Sequence, residues 1–439
     1  MAPAFPLTTR APGDILFRAR GASVTASQFL AAAHRLARSL PQVAHVVNLC
    51  EDRLAFAVGI AAAVLRGQVS LLTSDRSVGR LGQLAAAYPG CCSLGETDIE
   101  GPLPHHRFAL EVAGERGEAE NPAIPADQPA ALVFTSGSTG EPAGHLKRWG
   151  ALASRSMAAA ERFAFAPGTA ILGMVPPQHM YGFETTILLP LHASVSVGCD
   201  TAFYAADVEQ ALAALPAPRV LVTTPLQLRA LLASGRGIPP LAGLISATAP
   251  LYRDLAEAAE RAWGAPVREI YGATEVGSIA SRRTTEDEMW QAYPSVRLEA
   301  GGGGSVQVTA PWAAPTALND AVAVAADGRF RLLGRRDDLV KLAGKRASLA
   351  GLNRILNAIE GVQDGVFVAP DDLDERPSAR LLAYVVAPGR TGEEILAALR
   401  GRIDPVFLPR RVVRVEALPR NQSGKLPRAA LAGLPAREN

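Results

Sequence analysis

The sequence predicts an α/β protein in two parts: a large N-terminal domain of mainly parallel sheets covered by helices, with an antiparallel portion, and a small C-terminal α+β domain. Three observations support this prediction. The 439 residues exceed what one hydrophobic core usually organises. Apolar strand-like runs alternate with helical runs through most of the chain. After the glycines at 301–304, alternating segments and a shorter strand–helix unit follow.

The first elements are predicted in β-α-β order. Thr25 and Gln28 have the spacing of a capping box, which predicts a helix starting there. A strand over 43–49, a buried helix over 54–65 and a strand over 69–73 follow. This order is typical of a parallel sheet covered by helices.

Later segments continue the pattern and then change it. Buried strands are predicted over 169–175, 219–223, 241–246 and 267–270, and a helix over 226–233. Asp327-Gly328, between two apolar alternating segments, predicts an antiparallel hairpin. The charged stretch 334–338 marks the expected domain boundary, with a large domain over 1–334 and a small domain over 335–439.

Composition excludes several classes of partner. A net charge of +2 without a dense basic cluster disfavours nucleic-acid binding. The apolar run 54–65 is too short to cross a bilayer, and prolines interrupt the run 163–183, so no membrane partner is expected. The four cysteines form no C-x-x-C pair, which indicates reduced thiols. We therefore expect a soluble, cytoplasmic protein.

Residues 135–140, Thr-Ser-Gly-Ser-Thr-Gly, have the composition of a phosphate-binding loop. Glycines allow close backbone approach to an anion, and successive N–H groups and hydroxyls supply donors. A helix predicted to begin near Lys147 would aim its N-terminus the same way. Taken alone, the loop is better explained as a polar turn without a ligand. A Walker loop is excluded, because neither Lys345 nor Lys425 is followed by Ser or Thr.

Four further segments accompany this loop in a fixed order. They are Tyr-Gly-Ala-Thr-Glu over 271–275, Asp320 ahead of Gly328, the stretch 334–346, and Leu-Pro-Arg-Asn-Gln-Ser-Gly-Lys-Leu-Pro-Arg over 418–428. Together with TSGSTGEP over 135–142, they resemble the AMP-forming, adenylate-forming enzymes, which include acyl- and aryl-CoA synthetases and peptide-synthetase adenylation domains. The resemblance spans some three hundred residues and implies ATP and Mg²⁺ as cofactors.

The resemblance also implies roles for individual residues. The groups that would hold the nucleotide and its metal ion are Thr135, Ser136, Gly137, Ser138, Thr139 and Gly140 at the β- and γ-phosphates, Thr248, Ala249, Pro250, Tyr271 and Gly272 around the adenine, Thr274 at the α-phosphate, Glu275 at Mg²⁺, Asp320 and Arg335 at the ribose, and Arg346 and Lys425 from the small domain.

The implied chemistry has two steps. A carboxylate attacks the α-phosphorus of ATP and expels pyrophosphate, with Lys425 stabilising the charge that develops. The acyl group then passes to a pantetheine thiol, on coenzyme A or an acyl carrier protein. In the family the small domain is mobile, and here it would rotate about Asp337 and present Gly344 at the thiol tunnel.

The loop departs from the family at one position. The family usually continues Pro-Lys-Gly, whereas this chain has Ala143 in the lysine position. Either Lys147 or Arg148 supplies the charge from the first helical turn, or the loop binds the γ-phosphate with less cationic support.

The acid substrate is a small carboxylic acid. His179, in the segment 175–184, resembles the residue beside the bound carboxylate. Met180 stands where amino-acid-activating members carry Asp, which argues against an α-amino acid, although Glu184 leaves that open. The chain looks most like stand-alone AMP ligases of aryl-polyene pigment pathways, which implies an aryl or hydroxycinnamic acid. Alternatives are a short- or medium-chain fatty acyl-CoA synthetase and a catalytically reduced nucleotide-binding regulatory protein.

Overall fold

The computed structural model describes residues 3–19, 21–111, 119–135, 143–300, 306–335, 339–342, 345–370, 380–420, 426 and 430, with the backbone alone at 135, 143, 300, 335, 339, 341 and 346. Its helices in this part of the chain are α1 Ala26–Ser39, α2 Arg53–Leu65, α3 Val78–Ala87, α4 Trp149–Phe163, α5 Met180–Phe183, α6 Leu189–His192, α7 Ala205–Ala214, α8 Pro225–Ala233, α9 Arg253–Trp263, α10 Leu349–Asn357 and α11 Gly392–Leu399. A π-helical turn, Glu184–Leu188, joins α5 to α6, and Pro405–Phe407 forms a short 3₁₀ helix.

The strands of the large unit come first along the chain. They are β1 Ala4–Pro6, β2 Ile15–Ala19, β3 Ala22–Thr25, β4 His45–Asn48, β5 Val69–Leu72, β6 Cys92–Gly95, β7 His105–Arg107, β8 Ala123–Pro125, β9 Pro129–Thr135, β10 Ala143–Arg148, β11 Thr169–Gly173, β12 Val195–Gly198, β13 Arg219–Thr223, β14 Gly243–Ser246, β15 Val267–Ala273, β16 Gly277–Arg283, β17 Gln291–Ala292, β18 Arg297–Ala300, β19 Val306–Thr309, β20 Thr316–Ala317, β21 Asp320–Val324 and β22 Phe330–Arg335. The remaining strands are β23 Leu339–Leu342, β24 Lys345–Ser348, β25 Asp364–Val368, β26 Leu382–Val386 and β27 Val412–Arg414.

Two large sheets organise the N-terminal part. One has the order β10-β9-β5-β4-β6-β7 and is parallel except for β10. The other has the order β17-β16-β15-β14-β13-β11-β12-β2-β3, with parallel strands in the middle and antiparallel strands at both ends. Helix α2 is buried along almost its whole length because it packs against α1 and the first sheet, which explains its continuous apolar sequence.

Smaller antiparallel sheets follow the second large sheet. Strands β18-β19-β20 and the hairpin β21-β22 form the antiparallel portion, and Gly328 takes a positive φ of 81° in the hairpin predicted at Asp327-Gly328. Beyond it, β23 to β27 with α10 and α11 enclose a hydrophobic core of their own, built around Leu356, Leu381 and Leu399. The predicted fold class is therefore confirmed. The capping box is confirmed as well, because Thr25 accepts from the Gln28 N–H and Gln28 accepts from the Thr25 N–H.

One local placement was wrong. Lys147 and Arg148, predicted to lie in the first turn of a helix, instead end β10, which pairs antiparallel with β9 from Ala143 opposite Thr135 to Arg148 opposite Pro129. Helix α4 begins only at Trp149. The reason lies in the sheet: β9 needs a partner on its outer edge, and residues 144–149 alternate between exposed and more buried positions, as a strand requires.

Candidate active site

The side chain of Tyr271 joins two distant parts of the large unit. Its hydroxyl donates a hydrogen bond of 2.5 Å to Asp320 Oδ2, across 49 positions of sequence. Its ring lies 5.5 Å from the ring of Trp290 and 5.9 Å from that of Phe330, measured between centroids. An aromatic wall thus stands beside a carboxylate, which suits a purine base next to a ribose.

Asp320 begins β21, and the antiparallel register places it opposite Arg335 of β22. The structure therefore brings together two of the residues predicted at the ribose, although only the backbone of Arg335 is described. Asp320 is partly buried, so the carboxylate that faces Tyr271 is fixed in position while remaining accessible.

A tight turn over 274–276 joins β15 to β16 and carries Thr274 and Glu275. Its base is narrow: a side chain at Gly272 would put a Cβ 2.5 Å from the Gly277 carbonyl oxygen. Gly277 itself has a φ of +80°, in the left-handed region that disfavours side chains. Thr274 is partly buried and Glu275 is exposed, so the turn presents a hydroxyl and a carboxylate to a ligand.

Lys147 lies beneath this turn. Its side chain points inward from β10 and is 6% exposed. The ammonium donates to the carbonyl oxygens of both Thr274 and Glu275, the latter at 2.7 Å. Burial lowers the pKa of Lys147 to about 8, against the opposing effect of the nearby Glu184 and Glu275 carboxylates. The expectation that Lys147 would reach the loop from a helix was wrong, because it belongs to a strand and its ammonium binds the turn.

Glu184 and Arg155 hold the first strand residues after the turn. Both carboxylate oxygens of Glu184 accept from the Ser278 N–H, at 3.2 and 3.1 Å, and Arg155 donates to the Ser278 carbonyl oxygen at 2.9 Å. Burial raises the pKa of Glu184, while Arg155 and the Ser278 N–H oppose that shift. Glu184, which the sequence left as a candidate partner for a substrate ammonium, is thus engaged within the protein.

The loop after β14 carries Thr248, Ala249 and Pro250. Thr248 has a φ of +80°, an unusual conformation for a β-branched residue. Its hydroxyl oxygen is buried, and within the described residues it has no hydrogen-bond partner. Such strained, unsatisfied groups are characteristic of functional sites. The loop continues to Leu251, whose N–H donates to the buried Glu269 at 2.8 Å.

His179 caps the N-terminus of α5 with its backbone and is partly buried. Helix α5 sits on the carboxyl ends of β13 and β14, because the Tyr181 hydroxyl donates to the carbonyl oxygens of Thr223 and Ile245, each at 3.0 Å. Ligands of α/β proteins bind at this end of a parallel sheet. A Cβ at Gly277 would lie 3.4 Å from Met180 Cε, so α5 also borders the 274–276 turn.

Several predicted site residues lie outside the described part of the chain. They are Ser136, Gly137, Ser138, Thr139, Gly140, Asp337, Gly344 and Lys425. Thr135 ends β9 and Arg346 lies in β24, and the backbone alone is described for both. The roles of all these residues stay predictions.

The residues that could hold Mg²⁺ are few. Among the described residues, no group of three or more His, Cys, Asp or Glu side chains could bind a metal ion by itself. The exposed Glu275 carboxylate fits a different arrangement, in which one protein carboxylate and the substrate phosphates share the ion, as Mg²⁺ commonly prefers.

Comparison with known families agrees with this geometry. The family model described as AMP-binding enzyme matches residues 39–298, and the model described as AMP-binding enzyme C-terminal domain matches residues 354–425. The chain belongs to the AMP-binding enzyme family. As a member of this family, it is an AMP-forming acid–thiol ligase. The predicted use of ATP, Mg²⁺ and a thiol co-substrate is confirmed as a property of the family.

Relatives of known activity include two 4-coumarate–CoA ligases. The one from Rhodobacter capsulatus is 30% identical over 67% of this chain and 74% of its own length. The one from Halorhodospira halophila is 30% identical over 78% of this chain and 85% of its own length. Indoleacetate–CoA ligase from Aromatoleum aromaticum is 26% identical, with 76% and 73% covered.

Solved structures share the fold. The o-succinylbenzoate CoA synthetase from Bacillus subtilis, in complex with its acyl-adenylate intermediate, superimposes with a TM-score of 0.82 at 20% identity and covers 98% of this chain and 97% of its own. ATP-bound MatB from Rhodopseudomonas palustris gives a TM-score of 0.80 at 20% identity, over 96% and 95%. Within the described residues, no helix has the length and apolar character needed to cross a membrane.

Sequence reasoning missed the support beneath the turn. Lys147 was considered as a phosphate ligand, and neither Arg155 nor Trp290 was considered for the site. The one available signal was the alternation over 144–149, which places Lys147 on the inward face of a strand. A buried lysine needs acceptors, and the 274–276 turn, over 120 residues away, supplies them.

Proposed function

We propose that this enzyme activates an aryl or hydroxycinnamic acid with ATP, forming an acyl-AMP, and then transfers the acyl group to a pantetheine thiol. The observation that carries the proposal is the juxtaposition of Tyr271 and Asp320 with the 274–276 turn. These groups come from three separate elements and match, one by one, what a base, a ribose and an α-phosphate need.

The nucleotide would lie along this row of groups. Tyr271, backed by the buried Trp290, offers its ring to the adenine, and Asp320 accepts from the ribose hydroxyls. Thr248, whose hydroxyl has no hydrogen-bond partner among the described residues, would border the other side of the base. The Thr274 hydroxyl then meets the α-phosphate at the end of β15.

The acid would enter beside α5. One oxygen of its carboxylate attacks the α-phosphorus, the bond from that phosphorus to the bridging oxygen breaks, and pyrophosphate leaves with the electron pair. His179, at the start of α5, would orient the carboxylate. Lys425 would approach from the small domain and stabilise the negative charge that builds in the transition state. Mg²⁺, held by Glu275 and the phosphates, would neutralise charge on the leaving group.

The second step needs the small domain to turn. We place the domain boundary at 334/335 and the hinge at Asp337. The rotation would withdraw Lys425 and bring Gly344 to the entrance for the thiol, whose sulfur attacks the acyl carbon and releases AMP. The acceptor is coenzyme A or an acyl carrier protein. Relatives of both kinds support this choice: CoA ligases on one side and large peptide synthetases, such as chondramide synthase from Chondromyces crocatus, on the other.

The substrate class is supported from two directions. Three relatives that each cover two thirds or more of the chain and most of their own length are named for aryl acids, 4-coumarate and indoleacetate. The carboxylate of Glu184 accepts from the Ser278 N–H within the protein. Met180 stands at the position where an amino-acid-activating enzyme carries its acid. Neither side chain therefore offers a carboxylate to a substrate ammonium. An aryl acid without an ammonium group suits both observations. A cytoplasmic location is part of the proposal and is supported by four buried, free cysteines.

A panel of acids tests the function. Purified enzyme with ATP, Mg²⁺ and hydroxylamine is given hydroxycinnamic, hydroxybenzoic, fatty and amino acids, and pyrophosphate release is measured. We expect release with aryl acids at least tenfold faster than with the others, a difference on the order of 1.4 kcal/mol. Faster release with fatty acids would move the enzyme to the fatty acyl-CoA synthetases, and no release with any acid would contradict the proposal.

A further inference from the structure

A buried cluster of three ionisable side chains lies under the 274–276 turn. The proposed mechanism assigns no role to this cluster. Lys147, Arg155 and Glu184 are 6%, 5% and 9% exposed. They come from β10, α4 and the π-helical turn, and they bind the backbone of the turn itself or that of Ser278 just after it. Hydrogen bonds from buried side chains thus hold the turn that carries Thr274 and Glu275.

The three buried side chains comprise two cations and one anion. Two carbonyl oxygens satisfy the donors of Lys147 but do not neutralise its charge. The Glu275 carboxylate also faces Lys147, but it is exposed to water, which screens it. An anion placed over the turn would therefore add to the compensation of the buried positive charge.

We propose that Lys147 is a positioning residue for ATP, whose ammonium fixes the backbone of Thr274 and Glu275 and attracts the triphosphate from the protein side of the turn. This inference rests on the proposed function, because it requires ATP to lie over the turn. It also accounts for Ala143, since the positive charge that related loops carry at that position is supplied here from beneath.

Comparing two nucleotides tests the inference by binding alone. ATP carries more negative charge than AMP, whereas both have an α-phosphate for Thr274. In Lys147→Met, the dissociation constant for ATP measured by calorimetry should therefore rise by on the order of tenfold, and that for AMP by about twofold. Lys147→Arg keeps the charge and should restore most of the preference for ATP.

Arg107→Met is the matched control, since Arg107 is an exposed cation of β7, at the opposite edge of the same sheet, and pairs with Asp98 at 2.9 Å. It should leave both dissociation constants unchanged. If the wild type binds ATP but Lys147→Met weakens ATP and AMP equally, or neither, the inference is overturned while the function stands. If Lys147→Met does not fold, Lys147→Gln, which keeps donors without the charge, takes its place in the same comparison, and equal effects on ATP and AMP overturn the inference. Absence of ATP binding by the wild type contradicts the proposed function itself.

Discussion

Replacing Asp320 with alanine should weaken the use of ATP through the ribose. In the structure one carboxylate oxygen, Oδ2, already accepts a 2.5 Å bond from the Tyr271 hydroxyl, which fixes the carboxylate and leaves its remaining lone pairs for the substrate. A hydrogen bond to a charged acceptor contributes about 1.5–3 kcal/mol. One such bond to the ribose therefore corresponds to a loss of roughly ten- to hundredfold in kcat/KM for ATP.

The assay compares ATP with 2′,3′-dideoxy-ATP in pyrophosphate release. The wild type should prefer ATP by the same factor of roughly ten to a hundred, and Asp320→Ala should show almost no preference, because the acceptor of the missing hydroxyls is gone. Tyr271→Phe serves as the control: it removes the donor to Oδ2 but keeps the ring and the carboxylate, so the preference should survive. Full discrimination by Asp320→Ala would refute the assignment of this carboxylate to the ribose.

Four further predictions concern other parts of the chain. Gly277→Ala should lower the free energy of unfolding by about 2–4 kcal/mol, because φ is +80° and the new Cβ would lie 2.5 Å from Glu184 Oε1. The stability of the wild type should fall as pH drops from 6.5 towards 4, by up to about 3 kcal/mol, because burial lowers the pKa of His192 to about 4 while the unfolded chain takes up the proton below 6.5. Lys425→Ala should reduce acyl-AMP formation by roughly 10²–10³, whereas Gly344→Leu should spare pyrophosphate exchange and stop thioester formation.

Controls or contrary outcomes are defined for three of these predictions. Gly168→Ala, at φ +78° with open space around it, should cost only about 1–2 kcal/mol in the same denaturant titration, so equal losses would argue against the contact with Glu184. His192→Leu should flatten the pH profile of stability, and an unchanged profile would rule out His192 as its cause. Equal loss of both half-reactions in Gly344→Leu would contradict the thiol-tunnel assignment.

Local sequence signals were sufficient for the class of fold, and the resemblance of the motifs was sufficient for the kind of chemistry. The Thr25–Gln28 capping box, the apolar runs that became β11 and β13, and the Asp327-Gly328 hairpin are local signals, because each depends on residues within a few positions of one another. The motif at 271–275 with Asp320 pointed to a nucleotide because the resemblance joined them, and the structure places the two side chains in contact.

Where the charges lie depends on how distant elements pack. Lys147 and Arg148, predicted to lie in the first turn of a helix, are instead part of a strand that pairs with the open edge of β9, and Lys147 therefore points inward. No local pattern relates Lys147 to the carbonyl oxygens of Thr274 and Glu275, or Glu184 to the Ser278 N–H. The physical reason is that a buried charge takes its partners from whichever elements pack against it, and packing across about a hundred residues is settled by the whole sheet.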